Sequence, residues 1–149
     1  DGSQADHYAD GLVDLVDEKN WSHHVSMHHN GYDRIGVRHK RDVVHDLRKK
    51  AITITDWMEG IGDHQCEFNI HFAPNVECSL SGNKILMKNT GVIDFDLPDN
   101  NSMKLFYGDK DPGAWCSRTM QKKEPIYLIR INSILINTVK IKSKISFNV

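Results

Sequence analysis

Ile126-Tyr127-Leu128-Ile129-Arg130-Ile131-Asn132-Ser133-Ile134-Leu135-Ile136-Asn137-Thr138-Val139-Lys140-Ile141-Lys142-Ser143-Lys144-Ile145-Ser146-Phe147-Asn148-Val149 is the stretch that decides the fold class. Polar and apolar residues alternate through most of it, and isoleucine dominates the apolar set. Side chains on a strand point alternately to opposite faces, so this pattern gives one buried and one wet face. Three runs are expected: Tyr127 to Ile131, Ile134 to Ile141, and Ile145 to Val149.

The same period of two extends back to residue 37. Ala51-Ile52-Thr53-Ile54-Thr55-Asp56-Trp57 alternates and is rich in β-branched residues. Glu67 to Phe72 puts Phe68, Ile70 and Phe72 on one face and Glu67, Asn69 and His71 on the other. Asn83 to Lys88 and Gly91 to Leu97 repeat the pattern around an Asn89-Thr90-Gly91 turn, and Met103 to Tyr107 adds a short strand. Turn chemistry punctuates the runs at Gly60 to Asp63, Ala73-Pro74-Asn75, Ser81-Gly82-Asn83, Pro98 to Asn101 and Asp111-Pro112-Gly113. No segment holds an apolar period of 3.6 over three turns. Asp10 to Lys19 allows a short helix, although Val13 and Leu15 alternate as well as they spiral. The expected fold is all-β: one antiparallel sandwich of two packed sheets and about ten strands, spanning residues 1–149.

A chain of 149 residues is about one domain long and buries a core without a staple. Net charge is −1, which excludes a global field for nucleic acid, and no apolar run reaches the roughly 18 residues of a membrane span. Charge is nevertheless segregated. Residues 1–33 carry seven acidic residues against Lys19 alone, whereas 34–50 and 118–149 each carry seven basic ones. Either the basic stretches are solvated strand faces or they meet an anionic partner. Cys66, Cys78 and Cys116 are an odd set without CxxC spacing, so free thiols are expected rather than a disulfide framework or a cysteine zinc site, with a single Cys66–Cys78 bridge between neighbouring strands as the alternative. The chain lacks an initiator methionine and a signal-like start, as a fragment of a larger protein would.

Six of the nine histidines lie within residues 23–45: His23, His24, His28, His29, His39 and His45. On a strand, His24 and His28 share a face, as do His23 and His29. That allows a two-histidine metal site, but no third spaced ligand completes one, and no metal ligand is assigned. In Val37-Arg38-His39-Lys40-Arg41, His39 and Arg41 share one face. Their guanidinium and imidazole could hold a sugar carboxylate or sulfate. The competing reading is a cross-strand salt bridge to Asp56 or Glu59. Trp21, Trp57 and Trp115, with Tyr8, Tyr32, Tyr107 and Tyr127, could stack on sugars, although a sandwich more often places aromatics in its core. Asp94 and Asp96 share a face without a partner group. No phosphate loop, GxSxG or Cys–His pairing is present, and no catalytic residue is assigned.

The order of several motifs resembles one known family. His29-Asn30-Gly31-Tyr32-Asp33-Arg34, Val37-Arg38-His39-Lys40-Arg41, Ile54-Thr55-Asp56-Trp57-Met58-Glu59-Gly60-Ile61-Gly62-Asp63-His64 and Phe68-Asn69-Ile70-His71-Phe72-Ala73-Pro74 together resemble the C-terminal region of heparinase II/III-like proteins. The similarity covers most of residues 1–80 and is vague after Leu97. The family comprises polysaccharide lyases with an N-terminal α/α toroid followed by β-sheet domains. Asp1-Gly2-Ser3-Gln4 is similar to a family segment that follows a His-Asn-Thr stretch carrying a metal-site histidine.

The resemblance implies β-elimination on uronic-acid polysaccharides such as glycosaminoglycans. A base removes the C5 proton, a tyrosine or histidine protonates the leaving oxygen, and the uronate carboxylate is neutralised. Those groups, and any zinc or calcium, belong to the parent upstream of Asp1. This chain is then expected to hold no cofactor and to be an inactive accessory domain. It would pack on the toroid and shape one wall of an anionic-polysaccharide cleft through His39 and Arg41, in a periplasmic or secreted parent. The alternatives are a stand-alone carbohydrate-binding module, which requires exposed tryptophans, and a histidine-rich metal-binding domain.

Overall fold

The computed structural model describes residues 9–99, 101–111, 113–119 and 122–148. Asp1 to Gln4, Tyr8 and Val149 lie outside the described residues, as do Asn100 and Pro112 of two expected turns. The chain begins with an antiparallel ladder: β1 (Gly11–Lys19), β2 (Ser22–His29), β3 (Val37–Asp46) and β4 (Ala51–Gly60). β5 (His64–His71) leaves it for a second sheet. β6 (Cys78–Ser81), β7 (Lys84–Met87) and β8 (Gly91–Asp96) form a meander, followed by β9 (Ser102–Tyr107). Two short pieces, β10 (Trp115–Cys116) and β11 (Glu124–Pro125), pair with each other. β12 (Tyr127–Leu135) and β13 (Thr138–Phe147) close the chain.

The strands assemble into an eight-stranded sheet, β1-β2-β3-β4-β13-β8-β7-β6, and a three-stranded sheet, β5-β12-β9. The seam of the large sheet is β13, which pairs with β4 on one side and β8 on the other. Ile129, Ile131 and Leu135 from the small sheet pack on Met58, Ile93, Phe95, Val139 and Ile141 from the large one. β13 shows how the sequence dictates this: Val139, Ile141 and Ser143 are buried, while Lys140, Lys142 and Lys144 are exposed. The all-β sandwich expected from alternation is therefore present, with thirteen strands among the described residues, two of them only two residues long.

Three local expectations need correction. Of the two readings open for Asp10 to Lys19, the short helix fails: Gly11–Lys19 is strand, because β1 gains its backbone partners from β2. The ladder also begins well before residue 37, with β1 and β2. The tail holds two strands instead of three: the break falls at Ile136-Asn137, and Lys142 to Lys144 stay in β13 because β4 and β8 pair with them on both sides.

The two sheets are unequal in width, and this positions the site. β3 contributes only Val37 to the core cluster, and β1 and β2 contribute nothing. The inner face of β1 to β3 thus extends past the edge of the small sheet. Val13 and Val16 on that face are 63% and 62% exposed. On the small sheet, Arg130 binds the buried Asp111 with two hydrogen bonds, 2.5 and 3.0 Å, and anchors the excursion between β9 and β12.

Candidate functional site

Alternation along β3 sends His39 and Arg41 to the inner face, where the antiparallel register sets Arg41 opposite Asp56 of β4. Asp56 is 7% exposed. Arg41 Nε and His39 Nε2 both donate to its Oδ1, each at 2.7 Å. The expected cross-strand pair is therefore made with Asp56; Glu59 faces outward opposite Arg38. His39 is fully committed, since its Nδ1 lies 3.0 Å from His29 Nε2. His29 in turn sits opposite His39 in the β2–β3 register.

The direction of these bonds follows from one backbone group. Gly31 N–H donates to His29 Nδ1 at 3.1 Å. That nitrogen must be unprotonated, so His29 carries its hydrogen on Nε2 and donates it to His39 Nδ1. His39 then carries its own hydrogen on Nε2 and donates it to Asp56. A polarised chain runs from the Gly31 amide through two neutral imidazoles to a carboxylate that Arg41 also holds. Burial, reinforced by His39 and the Arg41 charge, holds the His29 imidazole below its ordinary 6.5. Burial alone would raise the Asp56 carboxyl; the hydrogen bonds from His39 and Arg41 outweigh it and hold the group below its ordinary 3.8. Sequence reasoning missed His29 as the partner of His39. The available signal was the short connection between Asn30 and Gly36, which fixes the β2–β3 register.

The Arg41 side chain is 44% exposed, and among the described residues its two Nη groups have no hydrogen-bond partner. Arg41 lines two adjoining clefts. One, of about 640 Å³, lies between β3–β4 and the β5 edge and includes Tyr32, Glu67 and His71. The other, of about 470 Å³, lies on the inner face beside Val13, Met27 and His29.

The remaining candidates disperse. Among the described residues no group of three or more His, Cys, Asp or Glu is placed to hold a metal. His28 pairs with Asp14 at 2.9 Å on the outer face, and His23 packs edge-on to His45. The tryptophans are not core residues: Trp21 is 53% exposed, and Trp57 and Trp115 are half-buried. Trp57 points outward from β4, Trp21 lies in the β1–β2 turn and Trp115 in β10, each with a lysine or arginine over its ring. Asp94 does have a partner, Lys84. All three cysteines are free, and burial pushes the Cys78 thiol up to about 11, which makes it unreactive.

The family described as Heparinase II/III-like, C-terminal, matches residues 4–135. The likeness therefore continues well beyond Leu97, where the motifs alone become vague. Among curated proteins none matches. Solved structures with the same fold include the following two. One is described as "Heparinase III-BT4657 gene product", with a TM-score of 0.77 at 16% identity over 93% of this chain. The other is heparan sulfate lyase HepC from Pedobacter heparinus, with a TM-score of 0.74 at 13% identity over 92% of this chain. This chain spans 21% of the length of each of those two proteins.

Proposed function

The chain belongs to the Heparinase II/III-like, C-terminal family, and from that premise we propose that it serves as an accessory β-sandwich domain of a polysaccharide lyase. Its open inner face would form one wall of a cleft for an anionic polysaccharide. The observation that carries this reading is the Arg41 guanidinium. Asp56 fixes its Nε, and the half-exposed Arg41 side chain lines both clefts at the rim of the uncovered half-sheet. A guanidinium held by one edge presents the other to a carboxylate or sulfate with little loss of freedom. His39 acts differently from the expected direct contact. Both of its ring nitrogens are engaged, so it positions Asp56 and, through it, Arg41.

The exposed valines of β1 supply the surface on which the rest of a lyase, an α/α toroid, would pack, and a periplasmic or secreted location goes with the same reading. β-Elimination needs a base and a proton donor poised on one sugar. His29 and His39 are tied to the sheet at both nitrogens, which supports an inactive chain in isolation.

The test is titration of the chain with an unsulfated oligoglucuronate, followed by calorimetry, beside an assay for unsaturated-uronate product. Binding is expected to weaken about tenfold in Arg41→Gln, the scale of one charge-assisted contact, with no product formed. Equal binding by Arg41→Gln would leave Arg41 a sheet contact alone, and product formation would overturn the accessory role.

Trp21 favours a second reading, a carbohydrate-binding module. Its exposed ring lies 5.3 Å from the Arg48 guanidinium at the strand tips. Under that reading Trp21→Ala, and not Arg41→Gln, abolishes sugar binding.

A further inference from the structure

The outer face of the eight-stranded sheet carries a row of side chains in register across four strands. His28 lies opposite Lys40, Lys40 opposite Trp57, and Trp57 opposite Lys140. Two ammonium groups lie over the Trp57 ring, with Lys40 Nζ 5.7 Å and Lys140 Nζ 5.6 Å from its centroid. Such contacts hold each lysine over an indole face instead of leaving it to sweep through solvent. The two lysines rise from strands separated by β4, so their backbones stand about 10 Å apart, twice the strand spacing. Lys142 and Lys144 continue the line along β13 at steps of about 7 Å and are exposed. Among the described residues none of Lys40, Lys140, Lys142 and Lys144 forms an ion pair, whereas Lys84 on the same face does.

We infer that this row is a second, outer-face binding site for a sulfated polysaccharide, on the opposite side of the sheet from Arg41. The choice of polysaccharide rests on the lyase reading above; the site itself rests on the spacing and on the charge pattern. Two lysines rooted about 10 Å apart on the sheet, both drawn to the indole between their strands, match anions carried on separate sugar rings, on the scale of one disaccharide step. The pattern opposes a nucleic acid. Glu59, Asp94 and Asp96 are interleaved with the lysines, and duplex DNA carries a charge about every 1.7 Å, which would bring phosphates against them. Stacking of bases is also hindered, because two lysine ammonium groups already lie over the Trp57 ring. A sulfated polysaccharide carries its charges on separate rings with hydroxyls between them, so it can place sulfates on the ammonium groups and hydroxyls over the carboxylates.

Fluorine NMR of the fluorotryptophan-labelled chain tests this, with the signal of Trp57 assigned by Trp57→Phe. A size-defined heparin oligosaccharide is the probe, and oligothymidylate is the control. The Trp57 signal is expected to shift on saturation with heparin. The affinity read at that signal should fall about tenfold in Lys40→Gln/Lys140→Gln, the effect of two exposed contacts. The same affinity should be unchanged in Arg41→Gln. A Trp57 signal that does not move, or that moves equally in the double variant, overturns the outer-face site and leaves the Arg41 reading standing. Loss of the Trp57 response in Arg41→Gln overturns it as well, since the two faces would then be one site. Oligothymidylate binding as tight as heparin overturns the polysaccharide assignment.

Discussion

At the residue scale, the chain from Gly31 to Asp56 makes stability depend on pH in two steps. Folded His29 declines a proton that the unfolded residue accepts below its ordinary 6.5. Its contribution is therefore complete above that pH and declines as pH falls beneath it. Asp56, held below 3.8, adds stability that persists above that value and is lost as pH falls further. Urea midpoints across pH are expected to decline first below about 6.5 and again below about 4, and His29→Gln should remove the first decline while keeping the second. A single transition confined to the acidic limb in the wild-type chain would sink the assigned tautomers. A cross-strand salt bridge from this stretch of β3 to Asp56 or Glu59 was legible in the sequence, and the register settles it as Arg41 with Asp56. The role of His29 was not. Its pairing with His39 depends on a register fixed by the Asn30 to Gly36 connection, and its tautomer depends on one amide hydrogen that no residue pattern displays.

At the scale of elements, the junction of β8 with β13 admits little change. A Cβ added at Gly91 would overlap the Ser146 carbonyl oxygen, a ladder group of the facing strand. The backbone must therefore separate or the register slip. Gly91→Ala is expected to lower stability by about 3 kcal/mol or more, measured by urea unfolding. Slowed exchange of the β13 amides equal to wild type would contradict that. The strands themselves were largely readable: β4, β5, β7, β8 and β9 appear where alternation puts them. The partition between sheets was not, because β4 and β13 are joined by pairings such as Glu59 with Thr138, far apart in sequence. The same limit misplaced the tryptophans. Alternation assigns Trp57 to the face of Glu59 correctly, but only the sheet order shows that this face is outermost.

Taken whole, the molecule has one covered half and one uncovered half. Val13 and Val16 on the inner side of β1, and Leu12 and Leu15 on its other side, are exposed in a strand that ends the sheet. Edge strands with apolar side chains invite association. The isolated chain is expected to self-associate at high concentration by light scattering, and Val13→Lys/Val16→Lys to suppress this while leaving the melting temperature unchanged. Equal scattering by both proteins would place the association elsewhere. A different consequence follows from β13 lying between β4 and β8. During synthesis both neighbours leave the ribosome with one edge bare, and their shared partner is made only after the small sheet's strands have appeared. Non-local pairing of this kind is slow and exposes unpaired edges meanwhile. The nascent chain is therefore most vulnerable between the emergence of β8 and that of β13, the interval in which a chaperone that shields strand edges would have most effect on yield.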